Sequence, residues 1–147
     1  MKVLFLTQTP EFGAAPRYRV YQYLDYLRSK GFECRVGFGA SNDCFKNLVE
    51  RNRVRDKLRY YYCEPLINRT KSLFLAKDYD LVFIQRDLVL YFPYLFEWLI
   101  SKLNKKIIFD YDDALFEIPN SIGYRFLYYL RGKDKIANVI KLSRHVI

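Results

Sequence analysis

Asp110, Asp112 and Asp113 stand within four residues, interrupted only by Tyr111, directly after the apolar run Lys106 to Asp110 (KIIFD). Carboxylates this close are costly to bury unpaired. At the end of a buried strand they could bind a divalent cation, act as a base, or receive substrate hydroxyls. The plainer role is capping of the next helix by Asp112 or Asp113. Asp110 could also pair with Arg86 across neighbouring strands. The position just after a buried strand favours a functional role, because ligands of open α/β sheets sit outside the carboxyl ends of the strands.

A second candidate set occupies the loop Gln8 to Arg19, which holds Gly13, Ala14, Arg17 and Arg19. Gly13 permits close backbone approach. A helix starting there, with the two arginines in its first turn, would offer N–H and guanidinium groups to an anion. The alternative is an ordinary turn with two solvated arginines. One glycine is far from a full phosphate-binding G-x-G-x-x-G.

A third feature is basic and aromatic. From Lys46 to Lys77 there are nine Lys/Arg against three acids, a charge of +6, with Tyr60-Tyr61-Tyr62 among them. Farther on, Tyr124, Leu127, Tyr128 and Arg131 follow a spacing of i, i+3, i+4, i+7, with Arg125 and Lys133 nearby. Such surfaces can stack nucleic-acid bases or meet an anionic membrane surface. Solvated charges over core aromatics are the commoner arrangement.

The elements that must position these residues alternate along the chain. Lys2 to Thr7 is a short apolar run, as in a buried parallel strand. The spacing of Val20, Leu24 and Leu27 predicts a helix over Arg17 to Lys30, with Gly31 suited to its C′ position. Glu33 to Gly37 completes a strand-helix-strand unit. The basic stretch Asp43 to Tyr62 could be helical. Pro65 to Lys77 puts Leu66, Thr70, Leu73 and Phe74 on one helical face. Tyr79 to Gln85 and Lys106 to Asp110 read as strands. A helix is expected over Leu88 to Leu103, with Pro93 in or near its first turn. Ile122 to Leu130 and Asp134 to Ser143 read as further helices, and His145 to Ile147 as the opening of another strand. The fold class expected is α/β: a Rossmann-like, doubly wound, mostly parallel sheet with helices on both faces. A strand-like run stopping at Ile147 leaves a sheet edge open, so the natural protein is expected to continue.

Composition narrows the class. The chain has 147 residues, 51% of them hydrophobic, with 6 Gly and 5 Pro, which excludes a collagen-like repeat and a disordered tail. The net charge of +9 favours anionic partners. Cys34, Cys44 and Cys63 lack metal-ligand spacing, so free thiols in a reducing cytoplasm are expected and no metal is assigned. The greasiest stretch, Leu81 to Ile100, carries Gln85, Arg86, Asp87, Pro93 and Glu97 and does not read as a membrane span.

KVLFLTQ, a glycine-bearing loop and RYRVYQYLDYLRSKGFECRV together resemble the start of the family 4 glycosyltransferases of the GT-B fold. YDLVFIQRDLVLYFPYLFEWLISKLNKKIIFDYDDALFEIP resembles a later part of the same N-terminal domain, and SRHVI is similar to the segment leading into its last strand. The resemblance implies the acceptor-side domain of an enzyme that moves a sugar from a nucleotide-sugar to a glycan or lipid-linked acceptor. The donor would be held by a C-terminal domain beyond this chain, so these residues alone should be inactive. No cofactor is implied beyond the donor substrate. Many relatives carry a His-Asp pair where this chain has Asp112 and Asp113, and a Gly-Gly loop where it has Gly13-Ala14-Ala15.

Asp112 and Asp113 are thus the expected catalytic residues. Gly13, Ala14, Arg17, Arg19, Arg86 and Asp110 are expected to bind substrate, with Gly13, Arg17, Arg86 and Asp112 lining one cleft. Residence in the cytoplasm, peripheral at the inner membrane face, would suit a lipid-linked acceptor. Other readings remain: a metal-dependent transferase of the other fold using Asp110-x-Asp112, a basic nucleic-acid-binding module, and a ligand-binding Rossmann-like domain without catalysis. No recognised nucleic-acid motif is present, so nucleic acid is not an expected partner.

Overall fold

Five parallel strands form one sheet in the order β2-β1-β3-β4-β5: β1 (Lys2–Thr7), β2 (Glu33–Phe38), β3 (Leu81–Gln85), β4 (Ile107–Asp110) and β5 (His145–Val146). The computed structural model describes residues 1–111 and 122–147, with the backbone alone over 122–125. The helices are α1 (Ala14–Arg19), α2 (Leu24–Ser29), α3 (Asn42–Arg51), α4 (Val54–Leu58), α5 (Glu64–Ala76), α6 (Leu95–Leu103), α7 (Ile122–Arg131) and α8 (Lys135–Leu142). A 3₁₀ turn (Tyr21–Tyr23) joins α1 to α2, and a π-helical segment (Arg59–Cys63) joins α4 to α5.

The sheet grows from β1 in both directions, so the fold is Rossmann-like and doubly wound. The inner strands β1, β3 and β4 are apolar on both faces because both faces are covered. Leu4, Leu6, Val82, Ile84, Ile107 and Phe109 pack against Ala76, Phe96, Ile100, Ile136 and Val139 of α5, α6 and α8. Val3 and Phe5 on the opposite face pack against Val20 and Leu24, with Leu27 and Phe83 beside them. Each fully buried Leu or Ile contributes about 2 kcal/mol by leaving water. A smaller cluster of Ala40, Cys44 and Tyr60 fills the space under α3 and the π segment.

Val20, Leu24 and Leu27 are buried or half-buried as their spacing predicts, but on a broken helix rather than a continuous one. Val20 leaves helical geometry at φ −129°, ψ −63°. The aromatic run around it has weak helix propensity, and the bend keeps Val20 and Leu24 on the sheet. Gly31 does sit at C′ of α2, at φ +81°. Its N–H donates to Arg28 O and the Phe32 N–H to Leu27 O, which satisfies two terminal carbonyls.

Three further expectations need correction. Arg17 and Arg19 lie in the last turn of α1, which starts at Ala14, and not in a first turn. Residues 88–94 are not helical, and α6 begins at Leu95 after Pro93. Side chains hold this segment instead. Arg69 Nε donates to Leu88 O (3.0 Å), the Leu88 N–H donates to Glu97 Oε1 (3.1 Å), and Lys135 Nζ donates to Val89 O and Phe92 O. Pro93 also lacks an N–H and disfavours helix at the residue before it. On α5 the inward face is rotated from the expected one. Arg69, Ser72 and Ala76 are buried, whereas Thr70 and Phe74 are exposed.

Arg69 is fully buried. Besides Leu88 O it donates Nη1 to Gly37 O (3.0 Å) and Nη2 to Thr7 O (2.6 Å). Burial pushes its pKa down to about 10, against an opposing pull from Glu97, so it is charged at neutral pH. Arg69→Met should remove three hydrogen bonds, with Thr7 O keeping only the Gly39 N–H, and lower stability by about 3 kcal/mol or more in urea unfolding, with Arg69→Lys recovering only part.

Glu64, at the start of α5, accepts from the Ser41 N–H (2.7 Å) and from Arg59 Nε (2.8 Å), which joins α5 to the cap of α3. Partial burial works to raise its pKa, but the Ser41 and Arg59 donors outweigh it and hold the carboxyl below its ordinary value. A depressed carboxyl contributes stability above its unfolded pKa and loses it as pH falls through the folded value. The stability gap between the wild type and Glu64→Gln should therefore be full at neutral pH. It should close on acidification below the ordinary glutamate range, as read by urea midpoints across an acid pH series.

Candidate functional site

Thr7, Gln85 and Asp110 end β1, β3 and β4 and stand in register. Each lies two residues beyond a position whose side chain faces α1 and α2, since Phe5 and Phe83 touch there with ring centroids 5.4 Å apart. Strand alternation therefore sets all three polar side chains on that face at the carboxyl edge. All are buried. The strand order reverses between β1 and β3, which makes this edge the switch point where doubly wound sheets open a crevice.

Asp110 is 1% exposed, and its Oδ1 accepts from Arg19 Nη1 at 2.6 Å. Arg19 closes α1, so the break after α1 places its guanidinium over the end of β4. A cavity of about 370 Å³ opens at this pair, lined by Tyr18, Arg19, Tyr23, Phe83, Asp110 and Ile147. Tyr18 and Tyr23 present largely exposed rings. An apolar groove of about 360 Å³ shares Arg19, Tyr23 and Phe83 and continues past Val3, Phe5 and Tyr26.

Arg86 follows β3 in left-handed conformation, φ +62°, which is uncommon for a side chain with a Cβ and collects at functional sites. Its N–H donates to Asp110 O (3.0 Å), so Arg86 and Asp110 meet through the backbone. The turn sends Asp87 into the interior, where Arg131 Nη2 approaches Oδ2 to 2.9 Å and Lys135 Nζ approaches Oδ1 to 3.5 Å. Lys135 also meets Glu97 Oε1 at 3.3 Å. These four buried charges neutralise one another and pin the loop after β3.

Of the residues expected to bind substrate, Arg19, Arg86 and Asp110 come together at this edge. Gly13 precedes α1 and closes a turn: its N–H donates to Pro10 O (2.9 Å), and a Cβ there would collide with the Thr9 hydroxyl. The glycine thus makes room for the Thr9 side chain packed against it. Ala14 and Arg17 are exposed, and the Arg17 guanidinium lies 5.3 Å from the Tyr18 ring centre. Asp112 and Asp113 lie outside the described residues.

Other sequence features change meaning. Of the stripe Tyr124, Leu127, Tyr128 and Arg131, Tyr128 and Arg131 are buried, and Arg131 is committed to Asp87. Among the described side chains of α7, Phe126, Tyr129 and Leu130 face outward. Tyr60 is buried and Tyr61 packs edge-on against Tyr60 and Tyr91. Cys44 is buried, and burial together with the nearby Glu64 charge pushes its thiol up to about 11, so it is protonated at neutral pH and is no nucleophile. No described helix is long and apolar enough to cross a membrane, and no three His, Cys, Asp or Glu among the described residues cluster as metal ligands.

Sequence reasoning missed the two tyrosines and the hub role of Arg69. Tyr18 flanks Arg19 in the chain, which is a weak signal. Arg69 sits three residues after Leu66 and four before Leu73, the spacing of an inward position. The chain matches no protein-family model and no curated protein.

The geometry makes the Arg19–Asp110 contact measurable. Arg19→Ala should cost about 1–3 kcal/mol in urea unfolding, because Asp110 keeps its burial and loses a charged donor. Adding Asp110→Ala should cost less than the sum of the two single changes, the mark of direct coupling in a double-mutant cycle.

Proposed function

We propose that this domain is the acceptor side of a glycosyltransferase that moves a sugar from a nucleotide-sugar to a glycan or lipid-linked acceptor. The observation that carries the reading is the cavity at the carboxyl edge, which the Arg19–Asp110 pair lines together with Tyr18 and Tyr23. A carboxylate accepts from sugar hydroxyls, a guanidinium donates to them, and tyrosine rings pack against the apolar face of a pyranose. A pocket of about 370 Å³ suits a ligand unit of monosaccharide size.

In such a reaction the bond from the donor's anomeric carbon to its diphosphate breaks, and a bond from that carbon to the acceptor oxygen forms. Positive charge grows on the sugar and negative charge on the leaving diphosphate. Arg19 and Asp110 orient the acceptor hydroxyl. Arg86, at the adjoining strand end, adds positive charge to the side that a donor phosphate would approach. Asp112, two residues farther on the chain and followed by Asp113, is assigned either the orientation of an acceptor hydroxyl or the stabilisation of cationic charge, by resemblance to the family. The nucleotide-sugar would be held by a second domain facing this edge.

Saturation-transfer NMR with a panel of methyl glycosides tests the reading. At least one glycoside should receive saturation from the wild type, and the effect should fall about tenfold in Tyr23→Ala and in Asp110→Asn, each checked for folding by circular dichroism. No signal from any glycoside, or a signal that survives both changes, would overturn it.

A further inference from the structure

The outward surface of α4, the π segment and α5 combines features seldom found together on a solvated face. Val54 and Leu58, one turn apart on α4, are 74% and 53% exposed, and Ile67 and Phe74 on α5 are 57% and 71% exposed. Lys71 falls between them, four residues after Ile67 and three before Phe74. A groove runs past Val54, Leu58, Cys63 and Ile67, with Arg55 and Arg59 on its walls. Between residues 46 and 77, eight exposed Lys/Arg face three acids, and two of those acids, Glu50 and Glu64, are already paired with Lys46 and Arg59.

We propose that this face docks the protein on an anionic lipid surface, with the cations at headgroup level and the aliphatic strip entering the acyl boundary. The cations alone would suit any polyanion. The apolar residues decide between them: exposed Val, Leu and Ile gain nothing from a sugar-phosphate backbone but gain by leaving water for acyl chains. Of the tyrosine run in this segment, Tyr60 is buried and Tyr61 is packed against Tyr60 and Tyr91, so the exposed ring of Phe74 stands among aliphatic residues rather than in a stacking platform. On α7, Arg131 is buried against Asp87 and offers no charge to a headgroup.

Placement gives the docking a consequence. The Asn42 side chain at the start of α3 accepts from the Phe12 N–H in the loop after β1, and Ser41 is held by Glu64. The basic face therefore borders the loops of the carboxyl edge, and docking would bring that edge close to the lipid surface. The docking itself does not rest on the transferase reading, and its test needs no sugar.

Flotation with neutral phosphatidylcholine vesicles and with vesicles doped with phosphatidylglycerol decides the matter. The wild type should partition at least roughly tenfold better into the anionic vesicles, with partial loss as salt is raised. Arg53→Glu/Arg55→Glu/Lys57→Glu should lower that partition by roughly tenfold or more, whereas Leu58→Ser/Ile67→Ser should remove the salt-resistant part. These side chains are exposed, and circular dichroism checks that each variant folds. Tyr129→Ser/Leu130→Ser on α7 should leave binding unchanged. Equal partition into both vesicle types would overturn the proposal, as would loss confined to the α7 variant. Binding to single-stranded poly(U) as tight as to vesicles, with no effect of Leu58→Ser/Ile67→Ser, would assign the face to nucleic acid instead.

Discussion

The fully buried guanidinium of Arg69 reaches three carbonyl oxygens that belong to different parts of the chain: Thr7 at the end of β1, Gly37 near the end of β2, and Leu88 in the loop after β3. Only a planar group with several donors in fixed directions can do this from one position, and a lysine ammonium cannot. Taking that charge out of water is costly, and the carbonyls offset the cost by hydrogen bonding. Because all three lie at or near the carboxyl edge, the edge is held from beneath by a side chain that no ligand would touch. The loops above it inherit their positions from that contact.

A second buried charge group finishes the same task on the far side. Asp87 enters the interior because Arg86 turns left-handed, and Arg131 and Lys135 meet it there while Glu97 balances Lys135. Residues 88–94 then need no helix of their own: the carbonyls of Leu88, Val89 and Phe92 are taken by Arg69 and Lys135, and the Leu88 N–H by Glu97. Ionic groups hold an irregular backbone here where apolar packing alone would leave buried polar groups without partners. The consequence for function is a rigid frame under a small polar mouth, in which Arg19 and Asp110 face each other beside two exposed tyrosines.

The positive charge of the chain serves two ends. Arg69, Arg131 and Lys135 are internal and structural, whereas the cations around α4 and α5 stand in solvent beside exposed aliphatic residues. A net charge counts both kinds alike. Only the second kind can attract a partner, and it lies next to the edge where the site opens.

The sequence by itself determined the class of fold and most of its elements. The apolar runs of β1, β3 and β4 needed cover on both faces, and Gly31 could end α2 because left-handed backbone costs glycine nothing. The end of β4 was legible as a place for chemistry because carboxylates there interrupt an apolar run. Spacing could also place Val20, Leu24 and Leu27 inward. It could not show that the helix carrying them breaks at Val20, since weak helix propensity permits a bend there but contact with the sheet fixes its place. Tertiary structure alone decided which charges go inside. Arg69 and Arg131 look like surface cations until their partners, tens of residues away in the chain, are brought to them. It also decided that Asp110 pairs with Arg19, since strand order and the break after α1 place that guanidinium above the carboxylate. Local sequence carries backbone propensity and apolar period, whereas a buried ion pair exists only where distant segments meet.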